Sequence, residues 1–281
     1  MELLDQRVVV VSGRIVKPGL GWLIAHAAAA YGADVALLDR DGRRAAAAAA
    51  TLRRRGSRIV GIGCAFDDPE AVDVAGERVM AAFSHFHVWV NVVDGLGADP
   101  AADDAGAAAT GTLERALHRT AILADVFSLQ MASKDYPAIL HVARPRSRTA
   151  RTRLVQRRNR TFHVRLRRSC TTLRSQCTDG AGADRCDCVG ALAAASTAMA
   201  RDLADLRVRV NAVFAPQPAT AMPERERHRG ALATSGELHA WGRAGGGDDV
   251  AGVCVLLASA LAAPVTGAVI DVDGGVGRWL A

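Results

Sequence analysis

The chain has 281 residues, of which 50% are hydrophobic and only 4% aromatic, and its formal net charge is +6. This length suits one large α/β domain and is ample for a hydrophobic core. No uncharged apolar stretch approaches the ~20 residues of a membrane helix, and the N-terminal residues, which include acidic ones, lack the pattern of a signal peptide. We therefore expect a cytoplasmic protein without a membrane segment.

Short apolar runs alternate with helical patterns along the whole chain. We predict strands at residues 8–11, 34–38, 58–63, 88–92, 138–142, 208–213 and 268–272. We predict helices at residues 22–31, 43–55, 69–82, 113–132, 190–206 and 248–261. This alternation implies right-handed crossovers and a parallel sheet with helices on both faces. The predicted fold class is therefore α/β, a doubly wound Rossmann-type sheet of about seven strands in a single domain spanning residues 1–281.

A glycine-bearing turn follows the first predicted strand and leads into a helix. Gly13, Gly19 and Gly21 stand where a side chain would obstruct a ligand or the packing of the helix. Backbone N–H groups and the helix dipole at this point favour a pyrophosphate. Asp39, at the tip of the second strand, can accept hydrogen bonds from a ribose diol and would repel a 2′-phosphate. That favours NAD over NADP, although the adjacent Arg40 weakens the argument, and the glycines alone are also explained as plain turn formers.

Four motifs in the right order resemble the short-chain dehydrogenase/reductase family. Val-Ser-Gly and Gly-Leu-Gly within residues 11–21 are similar to the Thr-Gly-x-x-x-Gly-x-Gly signature, with two extra residues in the turn. Residues 90–95 resemble the Asn-Asn-Ala-Gly segment that ends the fourth strand. Residues 209–216 resemble the sixth strand and its cofactor loop, and residues 242–275 resemble the C-terminal signature.

The resemblance covers about residues 7–143 and 189–276 and implies an oxidoreductase that uses NAD(H) on an alcohol or ketone. It also implies a homo-oligomer, formed through the helices after Leu113 and after Gly190. The motifs and the resemblance together give these candidate cofactor-binding residues: Ser12, Gly13, Gly19, Leu20, Gly21, Asp39, Asn91 and Thr220.

The catalytic pair of that family is missing from the chain. Family members exchange the hydroxyl proton through a tyrosine whose pKa is lowered by a neighbouring lysine, which is general acid–base catalysis by a phenol. The two tyrosines here are Tyr31 and Tyr136, and the two lysines are Lys17 and Lys134. No Tyr-x-x-x-Lys pair can be formed from them, so we expect activity to be impaired.

No other residue takes over the catalytic roles. The family's asparagine position falls on Thr120, and its serine position falls on Ala143 or Arg144. His141 and His163 are the nearest titratable substitutes, with His141 the first to consider, but a histidine at a strand end is more often structural. Tyr136 precedes the fifth strand, on the wrong side for the catalytic tyrosine, and we assign it to packing. We therefore assign no catalytic residue.

Residues 144–188 form an anomalous insertion with 13 arginines, no lysine and four of the six cysteines. A nucleic-acid-binding arm would explain the arginines through phosphate contacts, but Phe162 is the one aromatic residue available for stacking. A zinc site would require paired cysteines, and these lack a recognised ligand spacing. We favour a third interpretation, a GC-rich gene read out of frame, because the family pattern stops near Val142 and resumes near Gly190. Unpaired like charges predict poor order in this segment.

Overall fold

One parallel sheet of seven strands forms the centre of the molecule. The computed structural model describes residues 3–52, 56–93, 105–132, 134–143, 188–215 and 245–274. The strands are β1 (Val8–Ser12), β2 (Asp34–Asp39), β3 (Ile59–Gly63), β4 (Val88–Val93), β5 (Ala138–Ala143), β6 (Arg209–Phe214) and β7 (Val269–Asp271). The helices of this described part are α1 (Leu20–Ala30), α2 (Gly42–Leu52), α3 (Pro69–Phe83), α4 (Ala105–Met131), α5 (Cys188–Asp202) and α6 (Gly247–Ala258).

The strand order is β3-β2-β1-β4-β5-β6-β7, and every neighbouring pair is parallel. The order reverses at β1, which pairs with β2 on one side and with β4 on the other. In open α/β sheets such a switch point leaves a crevice at the carboxyl ends of the strands, where ligands bind. The predicted doubly wound fold and its seven strands are confirmed.

Alternate residues of each strand pack on opposite faces of the sheet, because successive side chains of a strand point to opposite sides. In β4, Val88, Val90 and Val92 belong to the apolar cluster that includes α1 and α6. Trp89, between them, belongs to the cluster on the other face, with α3, α4 and α5. The continuous apolar runs of the strands therefore reflect burial on both faces.

Several helix boundaries differ from the sequence prediction: α5, for example, ends at Asp202 instead of residue 206, and α4 and α6 differ as follows. The helix expected from residue 113 begins at Ala105. The helix expected to continue to residue 261 ends at Ala258, because Ser259 starts a separate 3₁₀ turn at Ala260–Ala262. The Ser259 hydroxyl donates to the Leu256 carbonyl at 2.7 Å and accepts from the Leu261 N–H at 3.2 Å, so it ends one helix and caps the next turn.

The predicted insertion at residues 144–188 lies outside the described residues, apart from Cys188, with which α5 begins. Nothing among the helices of the described part is long and apolar enough to cross a membrane.

Candidate cofactor site

Gly13 stands where the ends of β1, β2 and β4 meet. Its φ is +139°, a conformation that side chains rarely adopt, and its N–H donates to the Leu38 carbonyl at 3.1 Å. A Cβ atom at this position would lie 2.6 Å from the Val92 carbonyl oxygen. Only glycine allows the chain to leave β1 in this direction while touching β4.

Gly19 and Gly21 hold the turn against the start of α1. Gly19 is the residue before the helix, and a Cβ atom on it would lie 2.5 Å from the Val16 carbonyl oxygen. At Gly21 a Cβ atom would lie 2.9 Å from Cδ1 of Ile15, which is itself buried. Leu20 is 3% exposed and anchors the first turn in the core. The turn is thus a close-fitting backbone cradle at a helix N-terminus, the arrangement that favours a phosphate group.

Asp39 ends β2 with its carboxylate buried and fully hydrogen-bonded. Its Oδ2 accepts from the Ile15 N–H at 2.7 Å and from Nε of Arg44 at 2.8 Å. Its Oδ1 accepts from the Asp41 N–H at 2.9 Å and from Nη2 of Arg44 at 2.8 Å. Burial alone would raise the pKa of this carboxyl, but the hydrogen bonds from Arg44 and from the two backbone N–H groups lower it below its ordinary value.

Ser12 and Asn91 belong to a buried polar row beneath the turn. Register places them side by side on β1 and β4. The Ser12 hydroxyl accepts from Nε1 of Trp89 at 2.8 Å and lies 3.4 Å from Oδ1 of Asn91. Ser12 is 1% exposed and Asn91 is 6% exposed, so both side chains serve contacts within the protein.

The row continues from Asn91 to α4 and β5. Nδ2 of Asn91 donates to Oγ1 of Thr120 at 2.9 Å and lies 3.3 Å from Nδ1 of His141. The Thr120 hydroxyl donates to the Ala116 carbonyl at 2.8 Å, so it must accept from Asn91. The hydrogen bond to Thr120 fixes the orientation of the Asn91 amide. Because the amide nitrogen is a donor, Nδ1 of His141 is the acceptor and Nε2 is the protonated nitrogen. Thr120, the family's asparagine position, is therefore engaged within the protein.

His141 is completely buried, and its Nε2 has no hydrogen-bond partner within the described structure. Burial lowers the pKa of His141 to about 3. The imidazole is neutral at physiological pH and reaches no solvent. It is therefore unsuited to exchange protons as a general acid or base near neutrality.

Sequence reasoning missed a three-residue ion cluster at the same edge of the sheet. The Asp67 carboxylate accepts from Arg40, the residue after Asp39, and from Arg119 on α4. The hydrogen bond from Arg119 lowers the pKa of Asp67. Asp67 follows β3, and its contact with Arg40 depends on β2 and β3 ending side by side, a pairing that the sequence alone did not reveal.

Among the remaining predicted positions, Ala143 ends β5 fully buried in an apolar cluster. The assignment of Tyr136 to packing is wrong, because its side chain is 52% exposed. Its backbone is what the fold uses: the Tyr136 carbonyl accepts from Arg7 at 2.9 Å and from Arg209 at 3.3 Å. Thr220 and Arg144 lie outside the described residues.

Metal-binding groups of three or more His, Cys, Asp or Glu side chains do not occur within the described ranges. Cys64 and Cys254 are buried free thiols. Burial raises the pKa of Cys64 to about 11 and that of Cys254 to about 12, so neither is a reactive thiolate at neutral pH.

Family profiles match the chain on both sides of the arginine-rich segment. The profile described as short chain dehydrogenase matches residues 7–146, and one described as enoyl-(acyl carrier protein) reductase matches residues 187–277. The chain belongs to the short-chain dehydrogenase/reductase family. The gap between the two matches is residues 147–186, which lies inside the insertion predicted at residues 144–188.

A curated relative from Sinorhizobium fredii, named an uncharacterized short-chain type dehydrogenase/reductase, is 28% identical over 282 residues, covering 98% of each chain. A putative short-chain alcohol dehydrogenase from Sinorhizobium meliloti has a TM-score of 0.70 at 22% identity over 97% of each chain. A hydroxysteroid dehydrogenase from Escherichia coli has a TM-score of 0.68 at 18% identity over 98% of each chain. These two solved structures share the fold with our chain.

Proposed function

We propose that this short-chain dehydrogenase/reductase binds NAD(H) at the carboxyl edge of β1, β2 and β4 and transfers hydride to or from an alcohol or ketone with very low turnover. The observation that carries the binding proposal is the cradle at Gly13. A side chain there would collide with the Val92 carbonyl at the sheet's switch point, and the turn leads directly into the N-terminus of α1. The glycine lets the turn pass close to β4, and a turn that leads into a helix N-terminus at a sheet's switch point is a place that favours a dinucleotide pyrophosphate.

The residues of the turn fit the phosphate part of the cofactor better than the ribose part. Gly13, Gly19 and Gly21 would admit the pyrophosphate, whereas the carboxylate of Asp39 already has four hydrogen-bond donors. Its negative charge still disfavours a 2′-phosphate, so we propose NAD(H) as the preferred form. When bound, the nicotinamide ring would supply or accept the hydride. The protein would contribute orientation and the exclusion of water.

Within the part of the chain that the structure describes, the proton that accompanies hydride transfer has no evident partner. Tyr136 precedes β5 and Tyr31 lies between α1 and β2, so both tyrosines lie at the amino edge of the sheet. The candidate cofactor site lies at the opposite, carboxyl edge. Lys17 is in the glycine turn, but its ammonium group lies over the Trp22 ring, 5.0 Å from the centroid. Neither tyrosine is therefore placed to exchange a proton with a substrate at this site.

The same observation favours a second candidate, a non-catalytic homologue that binds the nucleotide or serves as an oligomer partner, or else a frameshifted gene product. In either case we propose that the chain forms a homo-oligomer through α4 and α5 and is located in the cytoplasm. If the chain is active, we propose a small-molecule alcohol or ketone as its substrate. Sedimentation equilibrium tests the oligomer, since a strictly monomeric chain would contradict it. The binding proposal does not depend on that result.

Isothermal titration calorimetry of the full chain with NADH and with NADPH tests the binding proposal. We expect saturable binding of both, with NADH tighter. Equal affinity for the two would contradict the proposed preference for NAD(H). If neither dinucleotide bound at millimolar concentration, the proposed site would be wrong.

A further inference from the structure

All the acceptor capacity of the Asp39 carboxylate is in use. A carboxylate has about four lone-pair sites, and Asp39 receives four hydrogen bonds. Two come from the backbone N–H groups of Ile15 and Asp41, which the turn and the β2–α2 connection fix in place. The other two come from a single side chain, Arg44. Arg44 is therefore the only one of these partners that can leave without a rearrangement of the backbone.

Arg44 also lies on the solvent side of Asp39. The Arg44 side chain is 34% exposed, whereas that of Asp39 is 1% exposed. Arg44 belongs to the first turn of α2, and its guanidinium covers the carboxylate in a two-point contact. A ribose diol approaching Asp39 from the cofactor cradle must displace this guanidinium, because the carboxylate has no further site to offer.

We propose that Arg44 competes with the adenosine ribose for Asp39 and thereby sets the selectivity of this chain between NAD and NADP. This inference rests on the proposed dinucleotide site. With Arg44 in place, the carboxylate charge is neutralised and a guanidinium faces the incoming ribose. In this state the site tolerates a 2′-phosphate. With Arg44 displaced, the free carboxylate binds the diol and repels the phosphate. The preference of the wild-type chain for NAD is therefore smaller than Asp39 alone would give.

The neighbouring charges identify Arg44 as the residue to change. Arg40 forms a salt bridge with Asp67 and makes none of the four hydrogen bonds to Asp39. Arg43 is exposed, and its backbone N–H donates to Asp41 at 2.9 Å. Arg43→Ala therefore removes one positive charge from the same turn of α2 without uncovering Asp39. It is the matched control for Arg44→Ala.

The experiment measures the dissociation constants of NADH and NADPH by calorimetry for the wild type, Arg44→Ala, Arg43→Ala and Arg44→Lys. In Arg44→Ala we expect NADH to bind about tenfold more tightly, because a two-point, charge-assisted competitor is gone. We expect NADPH to bind no more tightly than before. Arg44→Lys, which keeps the charge without the two-point contact, should give an intermediate ratio, and Arg43→Ala should keep the wild-type ratio.

The ratio of the two constants separates selectivity from stability, because partial unfolding weakens both dinucleotides equally. If Arg44→Ala and Arg43→Ala gave the same ratio, or if Arg44→Ala weakened NADH binding relative to NADPH binding, the inference about Arg44 would be wrong. The proposed dinucleotide site would not be affected by that result. If Arg44→Ala did not fold, the ratio for Arg44→Lys would decide, and a wild-type ratio there would overturn the inference. If no dinucleotide bound to the wild type or to any variant, the proposed function itself would fail.

Discussion

Replacing Asn91 with leucine removes the centre of the buried polar row while roughly keeping the side-chain volume. In the wild type the Asn91 amide donates to Thr120 at 2.9 Å and to His141 at 3.3 Å, and its oxygen lies 3.4 Å from the Ser12 hydroxyl. Thr120 and Ser12 keep other hydrogen bonds after the change, to Ala116 and from Trp89. His141 keeps no hydrogen bond within the described structure, because its Nε2 is already without a partner.

The magnitude follows from those contacts. A buried hydrogen bond contributes about 1 kcal/mol net, and a buried polar group left without a partner costs about 1–3 kcal/mol. The lost bond to Thr120 and the orphaned Nδ1 of His141 therefore predict that Asn91→Leu lowers the free energy of unfolding by roughly 2–4 kcal/mol. His141→Leu alone should cost less, because it also removes a nitrogen that is buried without a partner.

Urea unfolding followed by circular dichroism provides the assay, with the wild type, both single variants and the double variant. The double variant has no orphaned imidazole, so it should be more stable than the sum of the single changes predicts, by about 1 kcal/mol or more. A loss below about 0.5 kcal/mol for Asn91→Leu, the size of an ordinary surface substitution, would refute the reasoning. Strict additivity in the double variant would show that Asn91 and His141 do not depend on each other.

Three further predictions concern pH, the glycine turn and the gene. Burial lowers the pKa of His87 to about 4 and that of His141 to about 3. Unfolding therefore takes up protons below pH ~6.5, and stability should fall by about 1–3 kcal/mol per histidine towards pH 4; urea midpoints that do not change with pH would contradict this. Gly13→Ala should destabilise the chain by about 2 kcal/mol or more, whereas Gly252→Ala, exposed in α6 with nothing within 4 Å, should stabilise it by about 0.5–1 kcal/mol; thermal melts that rank the two variants in the opposite order would refute this. Translation of the gene in all three frames across residues 142–190 should reveal a serine and a Tyr-x-x-x-Lys at family spacing in another frame, and their absence from every frame would make the insertion genuine.

The fold could be predicted because its signals are local. Each strand is a short apolar run, each helix has its own periodicity, and their alternation restricts the topology to a parallel, doubly wound sheet. The start of α4 was missed because residues 105–112 contain glycine, threonine and alanine without a periodic apolar pattern. The start of that helix is therefore not marked by a hydrophobic face.

The side-chain partners in the site could not be predicted because they depend on register and on neighbouring elements. Ser12 and Asn91 meet only because β1 and β4 pair in one particular register. Arg44 reaches Asp39 because α2 begins immediately after β2, so that the first turn of the helix lies close to the end of the strand. The sequence offered one usable signal, an asparagine within an otherwise apolar strand, since a buried amide needs partners. It did not indicate which partners they would be.

The rate of NAD reduction during alcohol oxidation, measured on a sample whose NADH binding is established by calorimetry, tests the central claim most directly. The claim is that the chain has a dinucleotide cradle and lacks the tyrosine–lysine pair that would exchange the proton during hydride transfer. We predict dinucleotide binding together with turnover about 10²–10⁴-fold below that of an intact enzyme, the usual contribution of general acid–base catalysis. Turnover near the typical ~10 s⁻¹ of enzymes would contradict the claim and would require an acid–base residue outside those considered.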